Sequence, residues 1–313
     1  MRNCSFFAIV LISAILSSCS QICEKADREA VFNVASYNIR QINDADSVAG
    51  NGWAVRCPVL AQVIRYHEFD IFGTQEGFLR QLSDLKSALP GYDYIGAGRE
   101  DGIHAGEHSA IFYRTDKFEV IEKGDFWLSE TPDVPSVGWD AVLPRICSWG
   151  HFRHIDSGRE FLFYNLHMDH IGKQARVESA ALVLRKMEES GGGLPVFLTG
   201  DFNVDQTHSS YSVLTSGKLA DAYETCGLRY ALNGTFNDYA TDNYTDSRID
   251  HIFVSPSVKV EKYGVLTDTY RSRSGESAGS ARHSANAPQD VAIYSYVART
   301  PSDHFPVAAK VRL

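Results

Sequence analysis

Leu194-Pro195-Val196-Phe197-Leu198-Thr199-Gly200-Asp201-Phe202-Asn203 is an apolar run short enough for a buried strand, followed by a glycine, an acid and an amide. Alternate side chains of a strand share a face, which would direct Asp201 and Asn203 into one cleft. A desolvated carboxylate at the end of a core strand is costly unless a cation or hydrogen-bond donors satisfy it. A catalytic centre is one reason to accept that cost. An ordinary turn that ends the strand is another reading, since Gly, Asp and Asn are turn residues.

Five further segments repeat the pattern. Ala35-Ser36-Tyr37-Asn38 ends an apolar run with an amide, and Phe72-Gly73-Thr74-Gln75-Glu76 ends one with an amide and an acid. In Tyr164-Asn165-Leu166-His167-Met168-Asp169, alternation puts Asn165, His167 and Asp169 on one face. Arg248-Ile249-Asp250-His251 and Ser302-Asp303-His304 complete the set. Each has a structural reading: a cap, a helix start, a hydrogen-bonded core histidine, or an Asp250–Arg248 pair. Six independent turns of this kind are hard to explain, whereas sheet ends are where α/β folds gather their chemistry. The residue types also suit one reaction. Hard carboxylate oxygens such as Glu76 and Asp303 suit Mg²⁺ or Mn²⁺, which polarise a phosphoryl oxygen. A histidine held by a carboxylate can activate water, and amides with a second histidine can bond crowded phosphate oxygens.

As an ordered set, Asn38, Gln75-Glu76, Asn165-His167, Gly200-Asp201-Asn203, Asp250-His251 and Ser302-Asp303-His304 resemble the endonuclease/exonuclease/phosphatase superfamily over about residues 31–313. The resemblance implies a four-layer α/β sandwich, two facing mixed β-sheets flanked by helices, with the site at one edge. It implies Glu76 as main Mg²⁺ ligand with Asn38 beside it, and Asp303 in contact directly or through water. His304 would be general base or phosphate-contacting histidine, oriented by Asp250. Asp201 would position or deprotonate water, Asn203 would bind the scissile phosphate, and His167 would stabilise the pentacovalent oxygens. Asn165 joins the substrate-binding side. Arg40 stands where the exonuclease III branch often has Asp, closer to the deadenylase-like and small-substrate branches. Gly138-Trp139-Asp140-Ala141-Val142-Leu143-Pro144-Arg145 resembles a stretch of uncharacterised bacterial members. There Arg145 can grip phosphate and Trp139 can stack on a base or sugar, or the two form a structural Arg–Asp pair and a packed Trp.

The remaining sequence bounds this reading. Arg2, the apolar stretch Phe6–Leu16 and Leu16-Ser17-Ser18-Cys19 read as a secretory signal over 1–18. The last four residues resemble a lipobox, which implies lipidation of Cys19; plain secretion is the alternative. Either way the mature chain works outside the cytoplasm, membrane-anchored or secreted, with residues 19–30 as a tether. Cys23, Cys57, Cys147 and Cys226 contain no CxxC pair, which argues against zinc and leaves one or two disulfides open. Helical spacing occurs around Val55–His67 and Val177–Met187, and the Ser- and Arg-rich stretch 267–300 reads as one long mobile loop. A net charge of -9 disfavours a grip on long nucleic acid. The expected activity is therefore Mg²⁺-dependent hydrolysis of a small or lipid-headgroup phosphodiester, by in-line attack of water without a covalent intermediate. The alternatives are a nuclease and a non-catalytic surface binding module. No protein partner is implied.

Overall fold

The computed structural model describes residues 28–190, 193–272 and 296–313. The signal, Cys19, Cys23 and the centre of the expected loop lie outside them. The chain first lays down β1 (Val31–Asn38), β2 (Ile71–Gln75), β3 (Tyr92–Ile95) and β4 (Ile111–Arg114). A second sheet then takes β5 (Phe118–Trp127), β6 (Ile146–His154), β7 (Glu160–His167), β8 (Val196–Asp201) and β9 (Ala220–Asp221). β10 (Leu228–Tyr230) returns to the first sheet, β11 (Asp250–Val254) joins the second, and β12 (Lys259–Val265) joins the first. β13 (Tyr270–Ser272) and β14 (Val297–Arg299) pair with each other, and β15 (Val307–Arg312) closes the first sheet. The sheet orders are β10-β12-β15-β1-β2-β4-β3 and β5-β6-β7-β8-β11-β9. Both are mixed: β1–β2 and β7–β8 are parallel, whereas β1–β15 and β8–β11 are antiparallel.

Period-two patterning makes the layers. In β1, Phe32 and Val34 face the other sheet, where they meet Phe161, Phe163, Phe197 and Ile252. Ala35 and Tyr37 face the opposite way, onto Trp53, Leu60 and Ile64 of a helix at Trp53–Tyr66. The second sheet turns Leu162, Leu166 and Leu198 outward onto Ala180, Val183 and Met187 of a helix at Lys173–Glu189. Helix, sheet, sheet and helix are the four layers expected. No helix among the described residues is long and apolar enough to cross a membrane.

One expectation needs correction. The ends of 267–300 are not loop: β13 and β14 pair antiparallel, and Arg299 on β14 donates to Asn51 Oδ1 (2.7 Å) and the Ala49 carbonyl (3.0 Å). Among the described residues, Cys57, Cys147 and Cys226 are free thiols, the first two buried.

Candidate active site

The inner faces of the central strands change from apolar to polar at the same end. Along β1 the inward series is Phe32, Val34, Ser36, Asn38; along β7 it is Phe161, Phe163, Asn165, His167; along β8 it is Phe197, Thr199, Asp201. β11 runs the other way and so begins with its polar residue, Asp250, before Ile252 and Val254. Register then aligns the polar ends: Asn38 with Gln75, His167 with Asp201, and Asp201 with Asp250. The residues before β15 arrive beside the end of β1, where the Ser302 hydroxyl donates to the Asn38 carbonyl (2.7 Å).

Of these ends, His167 and Asp201 line a cavity of about 290 Å³, together with Glu76, Asp303 and His304 just beyond the strands. Asn38 Nδ2 donates to Glu76 Oε1 (3.0 Å) and Asp201 Oδ2 (2.9 Å), and the Gln41 amide donates to Glu76 Oε2 (2.9 Å). Glu76, Asp201 and His304 each offer an atom within 4.8 Å of the others, and all three residues line the cavity. Two hard carboxylates braced by an amide suit a small divalent cation such as Mg²⁺ or Mn²⁺. Asp303 also lines the cavity, but its carboxylate lies 3.2 Å from Arg40 Nη1, so the close-set trio differs from the expected Glu76, Asn38 and Asp303 in taking Asp201 and His304. A larger cavity, about 550 Å³, between the Trp53–Tyr66 helix and β13 carries none of these strand-end residues.

Protonation follows from the surroundings. His304 Nδ1 lies 2.8 Å from Asp250 Oδ2, and its Nε2 lies 3.7 Å from Asp201 Oδ2. Burial lowers its basicity, but the carboxylates of Asp250 and Asp201 raise it well above the ordinary histidine value, which favours an imidazolium. Burial and the Asp250 charge push Asp201 up to about 7, against the pull of His304. His167 is the opposite case: burial, reinforced by Arg145 and Arg99, holds it well below its ordinary value and neutral. Asn203 Nδ2 donates to both the Met168 carbonyl and His167 Nε2 (2.9 Å each), so in this hydrogen-bond network Nε2 accepts and Nδ1 carries the proton. That Nδ1 is buried without a hydrogen-bond partner, with Glu107 Oε2 at 3.9 Å.

The structure brings together Asn38, Glu76, His167, Asp201, Asn203, Asp250, Asp303 and His304, and it separates others from the cavity. Asn165 is a correction. Its Oδ1 accepts from Gln75 Nε2 (2.7 Å) and Thr199 Oγ1 (3.0 Å), and its Nδ2 donates to the carbonyls of Thr74 (2.8 Å) and Ala110 (3.0 Å). Fully buried, it is a strut between the two sheets and presents nothing to a substrate. A Cβ at Gly73 would overlap Asn165 Oδ1 and Thr199 Oγ1, so only glycine admits the strut. Asn203 lines the cavity and also orients His167, with its amide on the Met168 carbonyl and His167 Nε2. Trp139 is a second correction; it packs on the outer core beside the Lys173–Glu189 helix and does not line the cavity. Arg145 lines the cavity, and its Nε lies 3.3 Å from Asp169 Oδ2. Asp250 pairs with His304, not with Arg248, which binds Asp221 (2.7 Å). Sequence reasoning missed Glu107, His170, Phe236 and Asp238, which also line the cavity. Only His170 carried a signal, standing next to Asp169 at the end of a quoted segment.

The family model described as "Endonuclease/Exonuclease/phosphatase family" matches residues 33–304. A solved structure of a protein of that family from Bacteroides thetaiotaomicron is 62% identical, with a TM-score of 0.83, and the match covers 91% of this chain and 96% of that one. Another from the same organism, a mannosyl-6-phosphatase, is 64% identical with a TM-score of 0.81, covering 90% of this chain and 99% of that one. Carbon catabolite repressor protein 4 homolog 3 of Arabidopsis thaliana is 25% identical over 202 residues, 60% of this chain and 43% of that protein.

Proposed function

The chain belongs to the endonuclease/exonuclease/phosphatase family, a family of hydrolases, and we propose that its own activity is metal-dependent hydrolysis of a small sugar phosphate. The observation that carries this reading is the 290 Å³ cavity, where the His304 imidazolium, the neutral His167 and the guanidinium of Arg145 face carboxylates suited to a divalent cation. That space suits a phosphoryl group and one ring rather than a strand of nucleic acid. The likeness to a mannosyl-6-phosphatase favours a monoester over the diester expected from sequence.

A divalent ion held by Glu76, with Asp201 and Asn38 at hand, would polarise the phosphoryl group and offset its charge. The protein supplies the rest. Asp201, with its carboxyl near neutrality, is matched to accept a proton from attacking water at neutral pH. The His304 imidazolium, kept charged by Asp250, donates from Nε2 to a phosphoryl oxygen. His167, held by Asn203, donates from Nδ1 to another, and Arg145 holds a third. The N-terminal pattern supports an exported enzyme tethered to a membrane through lipid on Cys19.

The purified full chain, assayed with excess Mg²⁺, should release phosphate from mannose 6-phosphate, and EDTA should abolish release. Glu76→Ala should lower kcat by about 10³-fold with an unchanged melting temperature. Near-normal turnover by that variant, or cleavage of single-stranded DNA or RNA alone, would refute the proposal.

A further inference from the structure

After the metal-fitting carboxylates and the phosphate donors are assigned, the cavity wall still holds Glu107, Phe236 and Asp238. Two more acids on the wall of an anion pocket differ in their balance: Glu107 is neutralised by Arg99 and lies 3.9 Å from His167 Nδ1, whereas Asp238 has no cation on it among the described residues. Glu107 is nearly buried, and Arg99 grips both its oxygens (2.8 and 2.9 Å), so it is a fixed acceptor with lone pairs still free. Asp238 is exposed, adopts a left-handed backbone (φ +50°) and is tied to the chemistry by its amide, which donates to the Asp303 carbonyl (3.2 Å). Its carboxylate has no hydrogen-bonding partner among the described residues. Phe236, on the same wall, is 42% exposed and bridged to the His304 backbone, with its ring edge-on to the imidazole at 5.1 Å.

The cations leave room for one phosphate. Arg40 is already shared between Asp46 (2.9 Å) and Asp303 (3.2 Å), and Arg145 is paired with Asp169. Among the described residues lining the cavity, no arginine or lysine is left to screen a second phosphate against Glu107 or Asp238. Hydroxyl groups, by contrast, donate to such carboxylates, and a sugar ring lays its C–H face on an exposed aromatic. We infer that Phe236, Asp238 and Glu107 form a leaving-group subsite for a ring rich in hydroxyls and bearing a single phosphate, which deepens the phosphoesterase reading and rests on it. The same acids that select the sugar disfavour nucleic acids and multiply phosphorylated polyols.

Two measurements on the full chain test this. Calorimetric titration in EDTA compares mannose 6-phosphate with glycerol 3-phosphate, and the ratio of the two monophosphates cancels the missing ion. The wild type should prefer the sugar about tenfold, and Phe236→Leu and Asp238→Asn should each erase most of that preference without lowering the melting temperature. Kinetics with Mg²⁺ should show the same ratio in kcat/KM, with mannose 1,6-bisphosphate poorer than the monophosphate and less poor in Asp238→Asn. Equal binding of both monophosphates, or a preference that neither variant alters, overturns the subsite. Selective binding with no hydrolysis sustains the subsite and refutes the phosphoesterase reading; hydrolysis without selectivity does the reverse.

Discussion

Replacing Asn165 with alanine separates a strut from a substrate ligand. The amide makes four hydrogen bonds, to Gln75, Thr199, Thr74 and Ala110, and is fully buried. Removing it takes one partner from each of these groups in the polar layer between the sheets, although Gln75 Nε2 keeps Ser36 Oγ (3.2 Å), Thr199 Oγ1 keeps the Tyr164 carbonyl (3.3 Å) and the Ala110 carbonyl keeps the Thr74 amide (2.7 Å). At about 1 kcal/mol net for each bond, the loss is about 4 kcal/mol, a large effect for a single site. For a domain of this size that lowers the melting temperature by roughly 8–16 °C. Thermal and urea melts read the stability, and kcat and KM are measured well below the new midpoint. Gly73→Ala should reproduce the effect, because its Cβ would overlap the Asn165 oxygen. The double variant should cost much less than the sum, as both changes break one contact. A direct substrate contact predicts the opposite pattern: an unchanged melt and a raised KM. A shift below about 3 °C in Asn165→Ala would refute the strut.

Two further predictions concern buried charge. Asp250→Asn removes the carboxylate that most favours the His304 imidazolium, so the imidazole NMR titration of the metal-free protein should move to lower pH. In the wild type this interaction stabilises the fold fully below the ordinary histidine value and is lost as pH rises above it; an unmoved titration would exclude Asp250 as the cause. Asp221 is held well below the ordinary carboxylate range, where His251 and Arg248 outweigh the burial that would raise it. Its contribution is therefore full above that range and lost as pH falls through it. Asp221→Asn should cost about 3 kcal/mol at neutral pH by leaving the buried Arg248 with only Glu224 at 3.6 Å as a counter-charge, and much less in acid, as read by urea melts at both pH values.

What the sequence disclosed depended on how local the determinant was. Asn38, Glu76, Asp201 and His304 were legible because each closes or opens an apolar run, and parallel or reversed strands put all such ends together. Depth was not legible. Asn165 and His167 share a face of β7, yet two residues are about 6.6 Å along a strand, enough to put one in the dry layer and the other at the cavity. β6 escaped detection because its run mixes Ser148, Gly150, His151 and Arg153 with its apolar residues. Glu107, Phe236 and Asp238 lie outside the strands, where no periodicity marks a side chain as facing anything.

The turn and the catalytic readings of Asp201-Phe202-Asn203 are not rivals. β8 runs through Gly200, where a Cβ would press on the Leu166 carbonyl, and ends at Asp201. Asn203 is then left-handed (φ +52°), with its amide donating to Asp201 Oδ1 (2.9 Å), so a turn and not strand alternation brings the two side chains together. Glu76 (φ +66°) and Arg40 (φ +56°) do the same just beyond β2 and β1. Glycine would make each turn at lower conformational cost but would bring no side chain. The strain is held by neighbours: Asn38 Oδ1 accepts from the Arg40 amide (3.0 Å), and the buried Arg56 donates to the carbonyls of Ile39 (2.8 Å), Arg40 (3.1 Å) and Pro301 (3.1 Å). Arg56 thus joins the turn after β1 to the segment carrying Asp303 and His304. Strained turns fastened to a rigid double sheet leave the cavity side chains little freedom to lose when a transition state forms, which is the condition for electrostatic stabilisation without reorganisation.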